Sequence, residues 1–101
     1  MARQWVPAGY ETLTIADSAL SLASVPSTMA KSFIGTLETG QVRYRGDGTS
    51  PTTSEGQLLE VGESIVMSES EFASMEFIRT GSTSGVLKGH YYSVEPDIFG
   101  R

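Results

Sequence analysis

Apolar and polar residues alternate along most of the chain, a period that is typical of half-buried β-strands. The clearest segment is residues 10–15 (YETLTI), in which Glu11, Leu13 and Ile15 share one face of the predicted strand. The same alternation recurs in several later segments, each bounded by residues that favour turns. We therefore predict further strands at 18–24, 41–45, 57–60, 63–67, 77–80 and 86–93.

Residues 30–38 (AKSFIGTLE) fit two patterns. Phe33 and Leu37 have helical spacing, but Phe33, Gly35 and Leu37 also fit the period of a strand. The interior Gly35 and the β-branched Ile34 favour the strand.

Two other segments depart from the alternation. Ser68 and Glu71 are spaced as a capping box at the start of residues 68–76, which predicts one short helical turn. Residues 46–56 (GDGTSPTTSEG) consist of residues typical of turns and predict an irregular loop.

Together these elements predict an all-β protein, either an antiparallel β-sandwich or a small β-barrel of about seven short strands. Parallel αβ folds are disfavoured because no segment is long enough for repeated crossover helices. We predict an extended N-terminal arm at 1–9, a single β domain at 10–93 and an extended C-terminal tail at 94–101.

Composition agrees with this fold class. The 101 residues include 14 serines and 10 threonines but only two lysines, and 19% are charged, which argues against a helical bundle. The lack of cysteine excludes disulfide scaffolds and thiolate metal sites, and it predicts synthesis in a reducing cytoplasm.

The net charge of −5 disfavours binding to nucleic acid or to anionic lipid. No apolar run approaches the length of a membrane span, and the first residues do not have the pattern of a signal peptide. We therefore expect neither nucleic acid nor a membrane as a partner.

The residues do not predict a catalytic or metal site. His90, the single histidine, falls on the same strand face as Lys88, and an exposed polar residue explains it better than a catalytic base. Asp47 is the one acid near Gly48 that fits a calcium loop, which needs several. We predict a protein that is not an enzyme and binds no cofactor.

Charge is separated along the sequence. Seven acidic residues and no basic ones lie between Gly46 and Ile78, with arginines on either side of this block. Such separation suits the packing of like subunits, so we expect a homo-oligomer. Exposed aromatic residues on the arms would add contacts. The predicted partner interface comprises Trp5, Arg43, Arg45, Asp47, Arg79 and Phe99.

Residues 41–65 and 77–92 resemble a known group of proteins. The runs VRYRGDGTSPTTSEGQLLEVGESI and FIRTGSTSGVLKGHYY combine an arginine-bearing strand, a loop with Asp-Gly and Pro-Thr, and a later strand pair. In these features the chain resembles small structural proteins encoded among bacteriophage virion genes.

The resemblance implies a virion protein, made in the host cytoplasm, that binds the major capsid protein or other virion proteins. A capsid decoration (cement) protein is the first expectation, and a head–neck or tail adaptor is an alternative within the same class. A carbohydrate- or receptor-binding β module that uses loop 46–56 is a further alternative. Arg45-Gly46-Asp47 also spells the integrin-binding tripeptide, although a simple turn explains these residues.

Overall fold

The structure is a computed structural model that describes residues 5–26 and 30–94. This part of the chain contains seven strands: β1 (Trp5–Ile15), β2 (Ser32–Thr39), β3 (Val42–Arg45), β4 (Gln57–Leu59), β5 (Ser64–Ser68), β6 (Glu76–Arg79) and β7 (Gly85–Val94). A short 3₁₀ helix at Glu69–Glu71 follows β5. All strand pairs are antiparallel, which confirms the predicted all-β class.

The strands form two sheets in a sandwich-like arrangement. The four-stranded sheet has the order β1-β7-β2-β5 and the three-stranded sheet has the order β4-β3-β6. Both sheets contribute fully buried side chains to one core: Ile15, Phe33, Leu37, Met67, Leu87 and Tyr91 from the first, and Val42 and Phe77 from the second.

Residues 32–39 form a strand, as the glycine and β-branched residues predicted. Phe33, Gly35 and Leu37 are buried while Ile34 is exposed, so burial follows a period of two. Gly35 of β2 lies opposite Gly89 of β7. The absence of side chains at this pair leaves space that the ring of Phe33 occupies.

Residues 5–9 of the predicted N-terminal arm form the first part of strand β1. β1 begins at Trp5 and pairs with the end of β7, with Trp5 opposite Val94. Residues 5–9 and the end of β7 pair because each offers unpaired extended backbone to the other. A β-bulge lies between Pro7 and Gly9. Residues 1–4 and 95–101, with Phe99, lie outside the described residues.

The predicted strand at 18–24 is wrong. Only Leu20 pairs, as an isolated bridge to Phe77 of β6. The backbone N–H groups of Ala23 and Ser24 donate instead to the carboxylate of Glu11, at 2.7 and 2.9 Å. Since those donors point to a side chain, the segment cannot extend a strand ladder.

Glu11 is the one charged residue that is buried in the described part of the chain, with 3% of its surface exposed. Besides the two backbone donors, the Tyr91 hydroxyl donates to its Oε1. Burial and this hydrogen bond raise the pKa of the Tyr91 hydroxyl, so Tyr91 remains a donor. The buried carboxylate therefore joins β1, β7 and the connection to β2.

The helical turn and the irregular loop both form as expected. The backbone N–H of Ser68 donates to Glu71 Oε1 at 2.8 Å, which completes the capping box. Loop 46–56 folds over the outside of the three-stranded sheet, where Pro51 is buried and Ser50 donates to Glu76. Ile78, which points to the same side as Arg43, is buried outside the main core.

Candidate functional site

The outer face, defined as the side of the four-stranded sheet turned away from the three-stranded sheet, exposes apolar side chains in a line. Strand register places Tyr10 of β1, His90 of β7, Ile34 of β2 and Val66 of β5 opposite one another. We call these four residues the exposed row. Tyr10, Ile34 and Val66 are 51%, 44% and 66% exposed, although water penalises exposed apolar surface.

Aromatic side chains extend the exposed row towards the start of β1. The rings of Tyr10 and His90 meet edge to face with centroids 5.0 Å apart, and the ring of Tyr92 lies 6.2 Å from His90. Because of the bulge, Trp5 lies opposite Val94 on this same face and is 60% exposed. The outer face thus presents three aromatic residues and a histidine together.

Polar residues border the exposed row on its other side. The neighbouring line of paired residues consists of Thr12, Lys88, Thr36 and Ser64. Lys88 forms an exposed ion pair with Glu38 at 3.3 Å, and Thr36 and Ser64 share a hydrogen bond of 3.0 Å. An apolar centre with a polar border is the arrangement found in protein–protein interfaces.

The structure separates the residues of the predicted interface. Trp5 lies on the outer face, whereas Arg43, Arg45 and Asp47 lie at the three-stranded sheet. Arg43 donates to the carbonyl oxygens of Thr53 and Gly56 at 3.1 and 2.7 Å and so holds loop 46–56.

The other two arginines of that set also bind their own chain. Arg79 donates to the Ser84 hydroxyl at 3.3 Å. Arg45 binds both carboxylate oxygens of Asp47, at 2.8 and 2.9 Å. The acidic and basic ends of Arg45-Gly46-Asp47 therefore bind each other, and a receptor that reads both would first have to separate them.

We expect Arg45→Met to raise the pKa of Asp47, because the hydrogen bond from Arg45 holds that pKa below its ordinary value. The direction of the pH dependence follows from linkage. Because the pKa of Asp47 is lower in the folded than in the unfolded protein, the pair stabilises the fold above the unfolded pKa of about 3.9, and this stabilisation is lost as pH falls through the folded pKa. Titration of the Asp47 side-chain carbon by NMR measures the shift. Arg43→Met is the control, and equal midpoints in the two variants would contradict the assignment.

His90 occupies the centre of the exposed row. Its closest ring neighbours are Tyr10 and Tyr92, and its cross-strand neighbour on β2 is Ile34. The sequence pattern predicted His90 and Lys88 on one face of the strand and Leu87 and Tyr91 on the other. The burial of Leu87 and Tyr91 confirms this prediction. The surroundings are those of an apolar contact surface.

A shallow cleft of about 470 Å³ lies beside loop 46–56. Tyr44, Met75 and Gln57 line it together with the Arg45–Asp47 pair and two further acids, Glu55 and Glu71. Its hydrogen-bonding groups and single aromatic side chain would suit a small polar ligand.

In residues 5–26 and 30–94, no three potential metal ligands come together, and every buried side-chain polar atom has a partner. The same residues include no helix long and apolar enough to cross a bilayer.

Sequence reasoning missed Tyr10, Ile34, Val66 and Tyr92 as surface features. A signal was present in the runs Phe33-Ile34 and Ile65-Val66-Met67, where consecutive apolar residues must occupy both faces of a strand.

No protein-family model, curated protein or solved structure matches the chain. The fold and the exposed row together define a small all-β protein with an apolar sheet face open to solvent.

Proposed function

We propose that this protein is a non-enzymatic structural component of a bacteriophage particle, which binds and stabilises capsid subunits as a decoration protein. The observation that carries the proposal is the exposed row, with Trp5 and Tyr92 beside it. Contiguous apolar surface of this kind marks interaction sites on soluble proteins.

The chemistry of the outer face fits a protein surface as its partner. Tyrosine and tryptophan are enriched among the residues that dominate binding energies at interfaces. The ion pair between Lys88 and Glu38, which borders the exposed row, is solvated, so docking does not require an uncompensated charge to be buried there.

A lattice of repeated subunits would strengthen contacts that are individually weak. A face carrying a few apolar side chains gives modest affinity, but copies held on a symmetric particle act together. The phage assignment itself comes from the resemblance of residues 41–65 and 77–92, and the outer face supplies the surface such a role requires.

We expect Val66→Lys to prevent incorporation into particles, because it places a solvated charge in the exposed row. Particles are banded on a density gradient from a culture that produces the tagged protein. The wild-type protein should be found in the particle band in a fixed ratio to the major capsid protein. For Val66→Lys this ratio should be at least about tenfold lower.

Val61→Lys is the matched control, since Val61 is 54% exposed but lies in the turn between β4 and β5. This variant should band like the wild type. Wild-type protein that remains at the top of the gradient would contradict the proposal, as would equal loss of both variants. Labelling on the neck or tail instead of the capsid would favour the adaptor role.

A carbohydrate-binding module is the second candidate, favoured by the cleft beside loop 46–56. Sugar binding commonly combines one aromatic ring with several hydrogen-bonding groups, which Tyr44, Gln57 and Glu55 could supply. A glycan array probed with the isolated protein distinguishes the two candidates. Binding that Gln57→Ala weakens and Val66→Lys leaves unchanged would favour the carbohydrate module.

A further inference from the structure

We propose that β1 pairs edge to edge with β1 of a second copy of this chain, so that the four-stranded sheets of two copies become one continuous sheet. The inference concerns the edge of the sheet and is independent of the proposed function, which uses its outer face. It rests on the length, the unpaired backbone and the charge of β1.

One edge of β1 is unpaired in the described part of the chain. In the described residues, the backbone of Trp5–Ile15 bonds to β7 and to no other element. The next contact along the chain is the Ala16 carbonyl, which accepts from the N–H of Arg79. Unpaired N–H and C=O groups along a strand are a template for another strand.

The remaining three sheet edges are shorter. β4, β5 and β6 have 3, 5 and 4 residues, whereas β1 has 11. The edge of β6 is also partly occupied, because Leu20 pairs with Phe77. A short edge supports few intermolecular hydrogen bonds, so β1 is the edge that can form the most hydrogen bonds with a second strand.

Proline, lysine and a bulge, three features that protect an edge, are missing from the second half of β1. Pro7 and the bulge interrupt only its beginning. Tyr10–Ile15 contains no proline, glycine or lysine. Its single charge, Glu11, points inward, which can protect an edge, but this carboxylate is already buried and accepts three hydrogen bonds, so an added strand would not remove water from it. Natural proteins rarely leave such a segment uncovered.

The segment is also suited to pairing with itself. In an antiparallel register centred on Thr12, Thr12 lies opposite its own copy and Tyr10 lies opposite Thr14, all on the outer face. Threonine pairs across strands are favourable, and no like charges meet. The exposed rows of the two copies then lie on one surface.

The test is the mass in solution of the full-length protein, measured by light scattering across a concentration series. The wild type should reach twice the 10.8 kDa of one chain. Thr12→Lys should weaken the dimer about tenfold or more, because it sets two ammonium groups opposite each other.

Thr36→Lys is a close control. Thr36 is also exposed, lies on the outer face and is a direct cross-strand neighbour of Lys88, as Thr12 is, but it belongs to an interior strand. Edge pairing predicts that this variant still forms the dimer. Dimers lost equally in both variants, or kept in both, would overturn the proposal, and so would a wild type that is monomeric at every concentration.

Hydrogen exchange of the β1 amides gives a second reading. In a lone copy, alternate amides of Tyr10–Ile15 face solvent and exchange rapidly, because only every second one bonds to β7. In the paired form, both sets should be protected at high concentration in the wild type and in Thr36→Lys. The same rapid exchange at all concentrations in the wild type would also overturn the proposal.

Discussion

Gly89→Ala is expected to unfold the protein or to lower its stability by roughly 3 kcal/mol or more, since overpacking of a tight core strains the backbone. A Cβ atom at residue 89 would overlap the carbonyl oxygen of Ile34, and it would lie 2.5 Å from the Cα of Gly35 and 2.7 Å from the ring of Phe33. β2 cannot move away easily, because it pairs with β5 on one side and β7 on the other.

Thermal unfolding followed by circular dichroism measures the effect. A loss of this size corresponds to a Tm lower by roughly 12 °C or more for a domain of about 100 residues. Gly81→Ala is the control, because a Cβ there meets nothing within 4 Å, and it should change stability by no more than about 0.5 kcal/mol. Equal Tm values for the two variants would refute the close approach of β2 and β7.

Glu11→Ala is expected to lower the free energy of unfolding by about 3 kcal/mol. The N–H groups of Ala23 and Ser24 and the Tyr91 hydroxyl all donate to the Glu11 carboxylate, so the substitution leaves these three donors without that acceptor. Urea denaturation measures the loss. Tyr91→Phe removes one of those donors while the carboxylate keeps two, so it should cost only about 1 kcal/mol.

Glu63→Ala is the matched control for the buried carboxylate. Glu63 also accepts a backbone N–H, from Glu60 at 2.8 Å, but it is exposed to water. This variant should unfold at nearly the wild-type urea concentration. The amides of Ala23 and Ser24 should exchange faster in Glu11→Ala only. If the two glutamate variants were equally stable, the carboxylate would have no role in holding the segment.

The sequence predicted elements well where local pattern decides them. Phe33, Gly35 and Leu37 indicated a strand, and Ser68 with Glu71 marked the capping box, because both depend on residues close together in the chain. The alternation in residues 10–15 also placed Glu11 on the same face as Leu13 and Ile15.

The predictions failed where distant residues decide the outcome. Residues 18–24 alternate like a strand, but their donors meet a carboxylate 12 and 13 residues earlier in the chain, which no local pattern shows. The exposed row also could not be predicted from local sequence, because its members become neighbours only through the register of four strands. The sequence showed the arginines on either side of the acidic block, but it did not show that each of them forms hydrogen bonds within its own chain.

The bulge between Pro7 and Gly9 determines which side chains at the start of β1 lie on the outer face. Side chains alternate across a strand, so the one additional residue there sets which way everything before it points. If the same residues paired without the bulge, Trp5 would point to the opposite side of the sheet while Tyr10 stayed where it is. The aromatic surface thus depends on one backbone irregularity as well as on the residues that compose it.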